Sequence, residues 1–277
     1  MLLGATRSKV IRLIGAFLMM SIAVAVLQIT RGNDAEVTAA ILQKASEAAK
    51  AINSYAVVTT GIQIYDNGDV ESGTSVVKVD LRTGTAEASV LDENGNVESK
   101  TIIVGETIYM SATVDPPTWY TMPNPTPLAS VSGASASVLL DNMRASLTDV
   151  TKAGDQLQDG RTIGILRGNT DLTAKAAQLW SNWDNSTSEE RLSMERPREQ
   201  FLSGQESVEL WFDVESNLLV RAIVTADFPR IATLPGYHFE TTHEFSSFNE
   251  PFFISAPPAS QVVAAPTSAT PPAPRRE

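Results

Sequence analysis

The sequence predicts an α+β fold in which helices cover the apolar face of one large antiparallel sheet. Three observations lead to this prediction: an apolar-alternating hairpin at 207–226, Asn-Gly turns between strands at 55–104, and an amphipathic segment at 34–52. Asn-Gly favours a tight hairpin because both residues tolerate positive φ. Successive hairpins build an antiparallel sheet and exclude a nucleotide-binding βαβ unit.

The composition excludes several functional classes. The chain has 277 residues and no cysteine, which removes disulfides, thiol catalysis and lipid attachment through an N-terminal cysteine. The net charge of −11 argues against a nucleic-acid surface, because phosphate binding needs clustered Lys and Arg. A hydrophobic content of 43% is enough for a sizeable core.

Residues 1–31 have the form of an export signal. Basic residues precede an uninterrupted apolar run from Leu13 to Leu27, which is short for a membrane span and suits a signal peptide. A buried core helix is the alternative. Cleavage after Ala25 and retention as a membrane anchor both stay open, and in either case the rest of the chain is expected outside the cytoplasm.

Three helices are predicted, each with an apolar stripe that should face the sheet. They span about 34–52, 135–147 and 171–180, and residues 184–206 are interpreted as an exposed connection with about one helical turn. The stripe of the first helix consists of Val37, Ile41, Ala45, Ala48 and Ile52, which recur at helical spacing.

The first two hairpins are predicted from their turns. Centring the first on Asn67-Gly68 pairs Val58 with Val77 and places Ile62 and Ile64 on the same face. The second hairpin should present mostly small inward side chains: Ala86, Ala88, Val90, Thr101 and Ile103. Small residues on an inward face leave room either for a ligand or for a closely packed helix, and both interpretations stay open.

The hairpin at 207–226 has the best-determined register. A loop at 215–217, with Asn217 left-handed, makes Trp211 and Arg221 cross-strand neighbours in cation–π contact. A slip by one residue would put Arg221 on the apolar face. That face is expected to carry Val208, Leu210, Phe212, Val214, Leu218, Val220, Ala222 and Val224.

No pattern in the sequence indicates catalysis. His238 and His243 are five residues apart in one predicted strand, so their side chains should point to opposite faces, and each is interpreted as structural. Nucleophile-elbow, phosphate-loop and calcium-loop motifs do not occur in the sequence. We therefore predict a protein that is not an enzyme, with no catalytic residue, metal site or cofactor.

Three segments resemble the LolA/LppX-like superfamily, which comprises the LppX/LprAFG proteins and the outer-membrane lipoprotein carriers. They are VGETIYM at 104–110 followed by TWYTM at 118–122, VELWFDVESNLLVRA at 208–222, and SFNEPFFISAPP at 247–258. The resemblance covers about residues 35–258. Many relatives carry a lipid-anchoring cysteine after the signal, and this chain has none, which leaves a secreted or helix-anchored form.

The resemblance implies a half-open antiparallel β-barrel whose concave face is covered by helices. An apolar cavity between sheet and helices would hold acyl chains of a lipid or lipoprotein. The predicted lining is Val58, Val77, Ala88, Ile103, Leu139, Met143, Leu210, Phe212 and Val220.

The predicted function is that of an exported binding protein for a hydrophobic ligand. The domain would span 32–256, between the signal or anchor at 1–31 and a disordered Pro/Ala-rich tail at 257–277. The expected location is extracytoplasmic: secreted, periplasmic or on the outer face of the cytoplasmic membrane. The expected partner is a lipid or acyl chain. An envelope protein partner is left open, as is membrane contact through an uncleaved N-terminal segment, and no nucleic acid is expected. The alternative is a membrane-anchored interaction or sensor module on the same fold, without a ligand.

Overall fold

Twelve strands and three helices make up the parts of the chain that the computed structural model describes, which are residues 33–111, 117–123, 146–180 and 187–264. The helices are α1 (Asn33–Lys50), α2 (Leu172–Leu179) and α3 (Ser188–Leu202). The strands are β1 Ser54–Tyr65, β2 Val70–Asp80, β3 Thr85–Leu91, β4 Val97–Val104, β5 Thr107–Ser111, β6 Trp119–Pro123, β7 Leu147–Gln158, β8 Arg161–Thr170, β9 Gln205–Asp213, β10 Leu219–Phe228, β11 Tyr237–Ser246 and β12 Val262–Ala264.

All twelve strands belong to one open sheet with the order β12-β6-β5-β4-β3-β2-β1-β11-β10-β9-β8-β7. Every neighbouring pair is antiparallel except β12 and β6, which are parallel. The α+β fold with a large antiparallel, half-open sheet is thus confirmed. The face of the sheet that carries the main hydrophobic core, with Tyr55, Val57, Leu210 and Phe212, is called the inner face here.

Helix α1 packs on the inner face through a stripe that overlaps the predicted one: Ala45 is buried, Ile41 packs against the core, and Ile52 just beyond the helix is also buried. Thr38, Leu42, Ala45 and Ala49 are buried, whereas the predicted Val37 is 50% exposed. Thr38 is accommodated because its Oγ1 donates a hydrogen bond to the carbonyl oxygen of Val150 in β7, at 3.5 Å. This acceptor lets a polar residue enter the stripe, which widens to include Thr38, Leu42 and Ala49 beside the predicted positions.

The register of the first hairpin is one residue away from the predicted one. Val57 lies opposite Val77, and Val58 lies opposite Val76. The loop holds three residues, 66–68, because Gly68 takes φ +88° and the amide of Tyr65 bonds the carbonyl of Asp69. Since side chains alternate along a strand, the shift turns Val58 to the outer face, together with Ile62 and Ile64.

The hairpin formed by β9 and β10 has the predicted pairing over most of its length. Trp211 lies opposite Arg221, whose Cζ is 4.7 Å from the indole centroid, and Asn217 takes φ +58°. A bulge between Leu219 and Arg221 was not predicted. As a consequence, Leu219 rather than Val220 packs against the core, and the predicted face member Val214 is 50% exposed.

The predicted helix at 171–180 is confirmed, whereas the interpretation of residues 184–206 as an exposed connection is corrected. Helix α2 begins after Asp171, whose Oδ1 accepts hydrogen bonds from the amides of Thr173 and Ala174 at 2.8 and 3.0 Å. Residues 184–206, predicted to be an exposed connection, contain the fifteen-residue helix α3. The predicted helix at 135–147 lies outside the described residues up to 145, and Leu147 begins β7.

Helix α3 escaped prediction because a polar side chain fixes it to the sheet. Gln200 is buried, and its Nε2 donates to the carbonyl oxygens of Pro229 and Pro235, both at 2.8 Å. The neighbouring Phe201 stacks on Phe228 with ring centroids 5.6 Å apart. A search for an apolar stripe misses a helix that is held in this way.

Replacement of Gly204 by alanine is expected to destabilise the protein by about 1–3 kcal/mol, because the methyl group would overpack a filled site. A Cβ at Gly204 would lie 2.4 and 2.7 Å from two ring carbons of Phe228. That ring is backed by Tyr237 and Phe239, so it has little room to retreat. Urea denaturation measures the loss. Gly61→Ala is the control, since its nearest contact would be 3.5 Å; equal midpoints for both variants would contradict the packing argument.

The first residues of the predicted disordered tail at 257–277 are ordered. Ala259–Gln261 form a 3-10 turn, and β12 pairs in parallel with the edge strand β6. These backbone pairs give the segment an ordered place that its Pro/Ala-rich composition does not reveal. Residues 265–277 and the predicted signal or anchor segment at 1–31 lie outside the described residues. Among the described helices, none combines the length and apolar character that a membrane crossing requires.

Candidate functional site

The inner face has two halves with different cover. Helix α1 starts beside β7, where Thr38 contacts Val150, and its end at Lys50 leads directly into β1. It therefore lies over the half of the sheet between β7 and β1. The other half includes β2–β5; Val79 and Ala86 on its inner face are buried in the main core, and the rest of that face presents a row of partly buried apolar side chains.

This row, called the apolar strip, is defined by the strand register. Val77 lies opposite Ala88, and Ile103 lies opposite both Ala86 and Ile108. Partners that lie directly opposite share a face. The half-exposed members of the strip are Val77, Ala88, Ile103, Ile108 and Met110.

Five of the nine predicted lining residues lie on the inner face. Leu210 and Phe212 are packed in the core at 1% and 2% exposure, whereas Val77, Ala88 and Ile103 belong to the apolar strip. Val58 points to the outer face, which corrects its assignment, and Val220 lies at the bulge in β10 and does not pack against the core. Leu139 and Met143 lie outside the described residues.

Ile108 and Met110 were missed by the prediction, although the sequence carries a signal for them. They alternate with Tyr109 in β5, after the turn at Gly105-Glu106. Ile103 lies on the inner face and pairs with Ile108 across that turn, so Ile108 and, two residues later, Met110 lie on the inner face as well. Alternation in a short strand becomes informative only when the register of its neighbour is known.

A polar row lies beside the apolar strip on the inner face. His243 and Ser75 lie on β11 and β2, and both are opposite Thr59 of the intervening strand β1. The imidazole Nδ1 of His243 is 2.9 Å from Thr59 Oγ1. Burial lowers the pKa of His243 to about 4, so the ring is neutral at pH 7.

Two atoms of this row are buried without a hydrogen-bond partner, namely His243 Nε2 and Ser75 Oγ. His243 is 9% exposed and Ser75 is 5% exposed. Buried polar atoms in native proteins almost always have a partner, so each orphan needs an explanation.

A groove of about 400 Å³ lies on the outer face between β7 and β10. Its lining mixes polar residues with the apolar Val208 and Ile223, and two of its charged side chains, Arg167 and Glu209, pair with each other. Glu209 also accepts a hydrogen bond from Trp211 Nε1 at 2.6 Å. Because the groove lies on the outer face, away from the apolar strip, it does not extend the predicted acyl site.

The two histidines lie on opposite faces, as predicted. His243 is on the inner face, and His238 on the outer face has its Nδ1 2.8 Å from Asp227 Oδ1. Within the described parts of the chain, no three histidine or acidic side chains come close enough together to hold a metal ion.

No family model matches the sequence, and no curated protein matches it. Among solved structures, the chain is similar to the lipoprotein LppX from Mycobacterium tuberculosis, with 16% identity over 79% of this chain and 99% of that one, at a TM-score of 0.48. LprF from Mycobacterium bovis shares 16% identity over 82% and 99%, at a TM-score of 0.47. A LolA superfamily protein from Nitrosomonas europaea shares 8% over 76% and 91%, at a TM-score of 0.27. The LolA/LppX-like resemblance predicted from the sequence is confirmed as a likeness of fold and extends no further.

Proposed function

We propose that the protein is an exported, non-catalytic binding protein that holds the acyl chain of a lipid or lipoprotein against its inner face. The observation that carries this proposal is the apolar strip of β2–β5. Its side chains are apolar and only partly buried: Val77 and Ile103 border the main core, and Ala88, Ile108 and Met110 continue the row beyond it on the same face.

The energetics of the apolar strip favour an apolar ligand. Four neighbouring strands span about 14 Å across the strip, at the usual strand spacing. Each methylene group that an acyl chain transfers from water to such a surface contributes about 0.8 kcal/mol. The ordering of the chain and the loss of its free motion offset part of this gain. The affinity for a long acyl chain therefore comes from its number of methylene groups, and binding does not require a charged contact.

Two parts of this proposal, export and the absence of catalysis, are supported by the sequence. The basic flank and apolar run within residues 1–31 support an extracytoplasmic location, and the domain proposed to follow spans 32–256. The lack of nucleophile-elbow and phosphate-loop motifs supports a binding role rather than an enzymatic one.

Ala88→Trp is expected to reduce lipid uptake strongly while lowering stability only modestly. Ala88 lies in the apolar strip between Val77 and Thr101, so an indole there would occupy the space of the acyl chain. The test begins with protein purified in the form that cells export, and native mass spectrometry identifies any bound lipid. A fluorescent fatty acyl probe is then titrated into the delipidated wild type and variant.

Ser72→Trp is the matched control, because Ser72 is exposed on the outer face of β2, opposite Ile62. It should bind the probe as the wild type does. A wild type that carries no lipid and ignores the probe would contradict the proposed function and favour the interaction or sensor module. Equal losses in both tryptophan variants would show that the apolar strip is not the site.

A further inference from the structure

The orphan atoms of the polar row lie next to the place proposed for the acyl chain. Ser75 and Val77 are two residues apart on β2, so they share the inner face at a separation of about 7 Å. Ser75 is also opposite Val90, which follows Ala88 on the inner face of β3. One end of a ligand lying on the apolar strip would therefore be next to Ser75, with Thr59 and His243 on the two strands beyond.

We propose that His243, Thr59 and Ser75 form a polar subsite that binds one uncharged hydrogen-bonding group, a hydroxyl or an ester carbonyl, at the head of the bound acyl chain. The proposal rests on the proposed function and specifies the ligand for it. The ligand group would complete the hydrogen bonding of His243 Nε2 and Ser75 Oγ, the two atoms of the row that are buried without a partner.

The subsite matches a hydroxyl or carbonyl because its own groups are neutral. The hydroxyl of Ser75 donates or accepts, and the neutral imidazole of His243 offers either a donor or an acceptor at Nε2, according to its tautomer. Thr59 fixes the ring by bonding Nδ1 at 2.9 Å. The three residues come from three adjacent strands, so the rigid sheet holds them in place.

The surroundings disfavour a charged head group. The inner-face neighbours of the row are the apolar Val57, Val77 and Phe245 on one side and the uncharged Gly61, Gly73 and Thr241 on the other. Burial is the cause of the lowered pKa of His243, and no charged neighbour contributes to the shift. A carboxylate bound there would be buried without a cation, at a large cost in free energy. A fatty acid anion is therefore a poor fit, whereas an alcohol or ester is a good one.

The experiment compares four ligands that share a sixteen-carbon chain: hexadecanol, methyl palmitate, palmitate and hexadecane. Each displaces a fluorescent acyl probe from the delipidated exported protein. We expect hexadecanol, methyl palmitate or both to bind about three- to tenfold more tightly than hexadecane, which is the usual range for a neutral hydrogen bond. Palmitate should gain nothing over hexadecane. The hydroxyl and ester arms identify which of the two groups the subsite takes.

Ser75→Ala removes one ligand-facing hydroxyl with little change in volume. It should cancel most of the preference for the alcohol or ester and leave hexadecane binding unchanged. Ser89→Ala is the matched control, since Ser89 is also a buried serine but lies on the outer face of β3, opposite Val76. It should retain the preference.

A direct readout comes from the imidazole of His243. The chain has only two histidines, so nitrogen-15 labelling of histidine gives the Nδ1 and Nε2 resonances of two rings, and His238→Gln shows which pair belongs to which ring. Addition of hexadecanol or methyl palmitate should shift the Nε2 resonance of His243, whereas hexadecane should leave it near its ligand-free position.

Two results would contradict the proposed polar subsite and leave the proposed acyl-chain binding unaffected. One is equal affinity for all four ligands, and the other is a His243 spectrum that ignores every ligand, as expected if an internal water satisfies the orphan atoms. Failure of all four ligands, hexadecane included, to displace the probe would instead contradict acyl binding itself.

Discussion

Phe212→Ala should lower the free energy of unfolding by about 3–5 kcal/mol, as expected when a large aromatic side chain is removed from a packed core. Phe212 is 2% exposed and lies in the main core with Leu210, Ala222 and Leu219. Its strand β9 has neighbours on both sides, so the backbone cannot collapse into the space. Urea denaturation of the lipid-free protein measures the loss.

Val214→Ala is the informative control for this prediction. Sequence alternation assigns Val214 to the same apolar face as Phe212, whereas the structure leaves it 50% exposed beyond the end of β9. Its replacement should change stability by no more than about 0.5 kcal/mol. If Val214→Ala cost as much as Phe212→Ala, the simple alternation would describe the protein better than the observed end of the strand.

The two hairpins show where prediction from the sequence succeeds and where it stops. In the β9–β10 hairpin, Arg221 would be buried by a one-residue slip, so the pattern itself selects the register. The β1–β2 hairpin has apolar residues on both faces, Val57 as well as Val58, and the pattern cannot choose between them. Its register depends on whether the loop around Gly68 has two or three residues, which is decided by backbone geometry.

The candidate site was predictable in its apolar part and hidden in its polar part. Val77, Ala88 and Ile103 follow from alternation in strands joined by short turns. The polar row instead joins positions 59, 75 and 243, which are distant in the chain and meet only through the order β11-β1-β2. A single histidine in a strand is also more often structural than functional. The environment of His243 therefore becomes visible only once the registers of three strands are known.

The burial of His243 predicts a loss of stability in mild acid. Its pKa is lowered to about 4 in the folded protein by desolvation, against an ordinary value of 6.5 in the unfolded chain. Below pH 6.5 the unfolded chain therefore takes up a proton that the folded protein does not, and this linkage favours unfolding. The stabilising contribution is complete above pH 6.5 and is lost as the pH falls towards 4. Between pH 7 and pH 5 the loss should reach about 2 kcal/mol.

The window between pH 7 and pH 5 separates His243 from the acidic groups. Asp66, Asp80 and Asp92 have pKa values below their usual range because of their hydrogen bonds, so their contributions to stability are lost mainly at still lower pH. Urea denaturation of the lipid-free protein at several pH values measures the slope. His243→Gln should flatten it, whereas His238→Gln, which changes the exposed outer-face histidine, should leave it in place. A slope that survives in His243→Gln would mean that another group is responsible, and that His243 is more accessible to solvent than its position between Ala222 and Thr59 indicates.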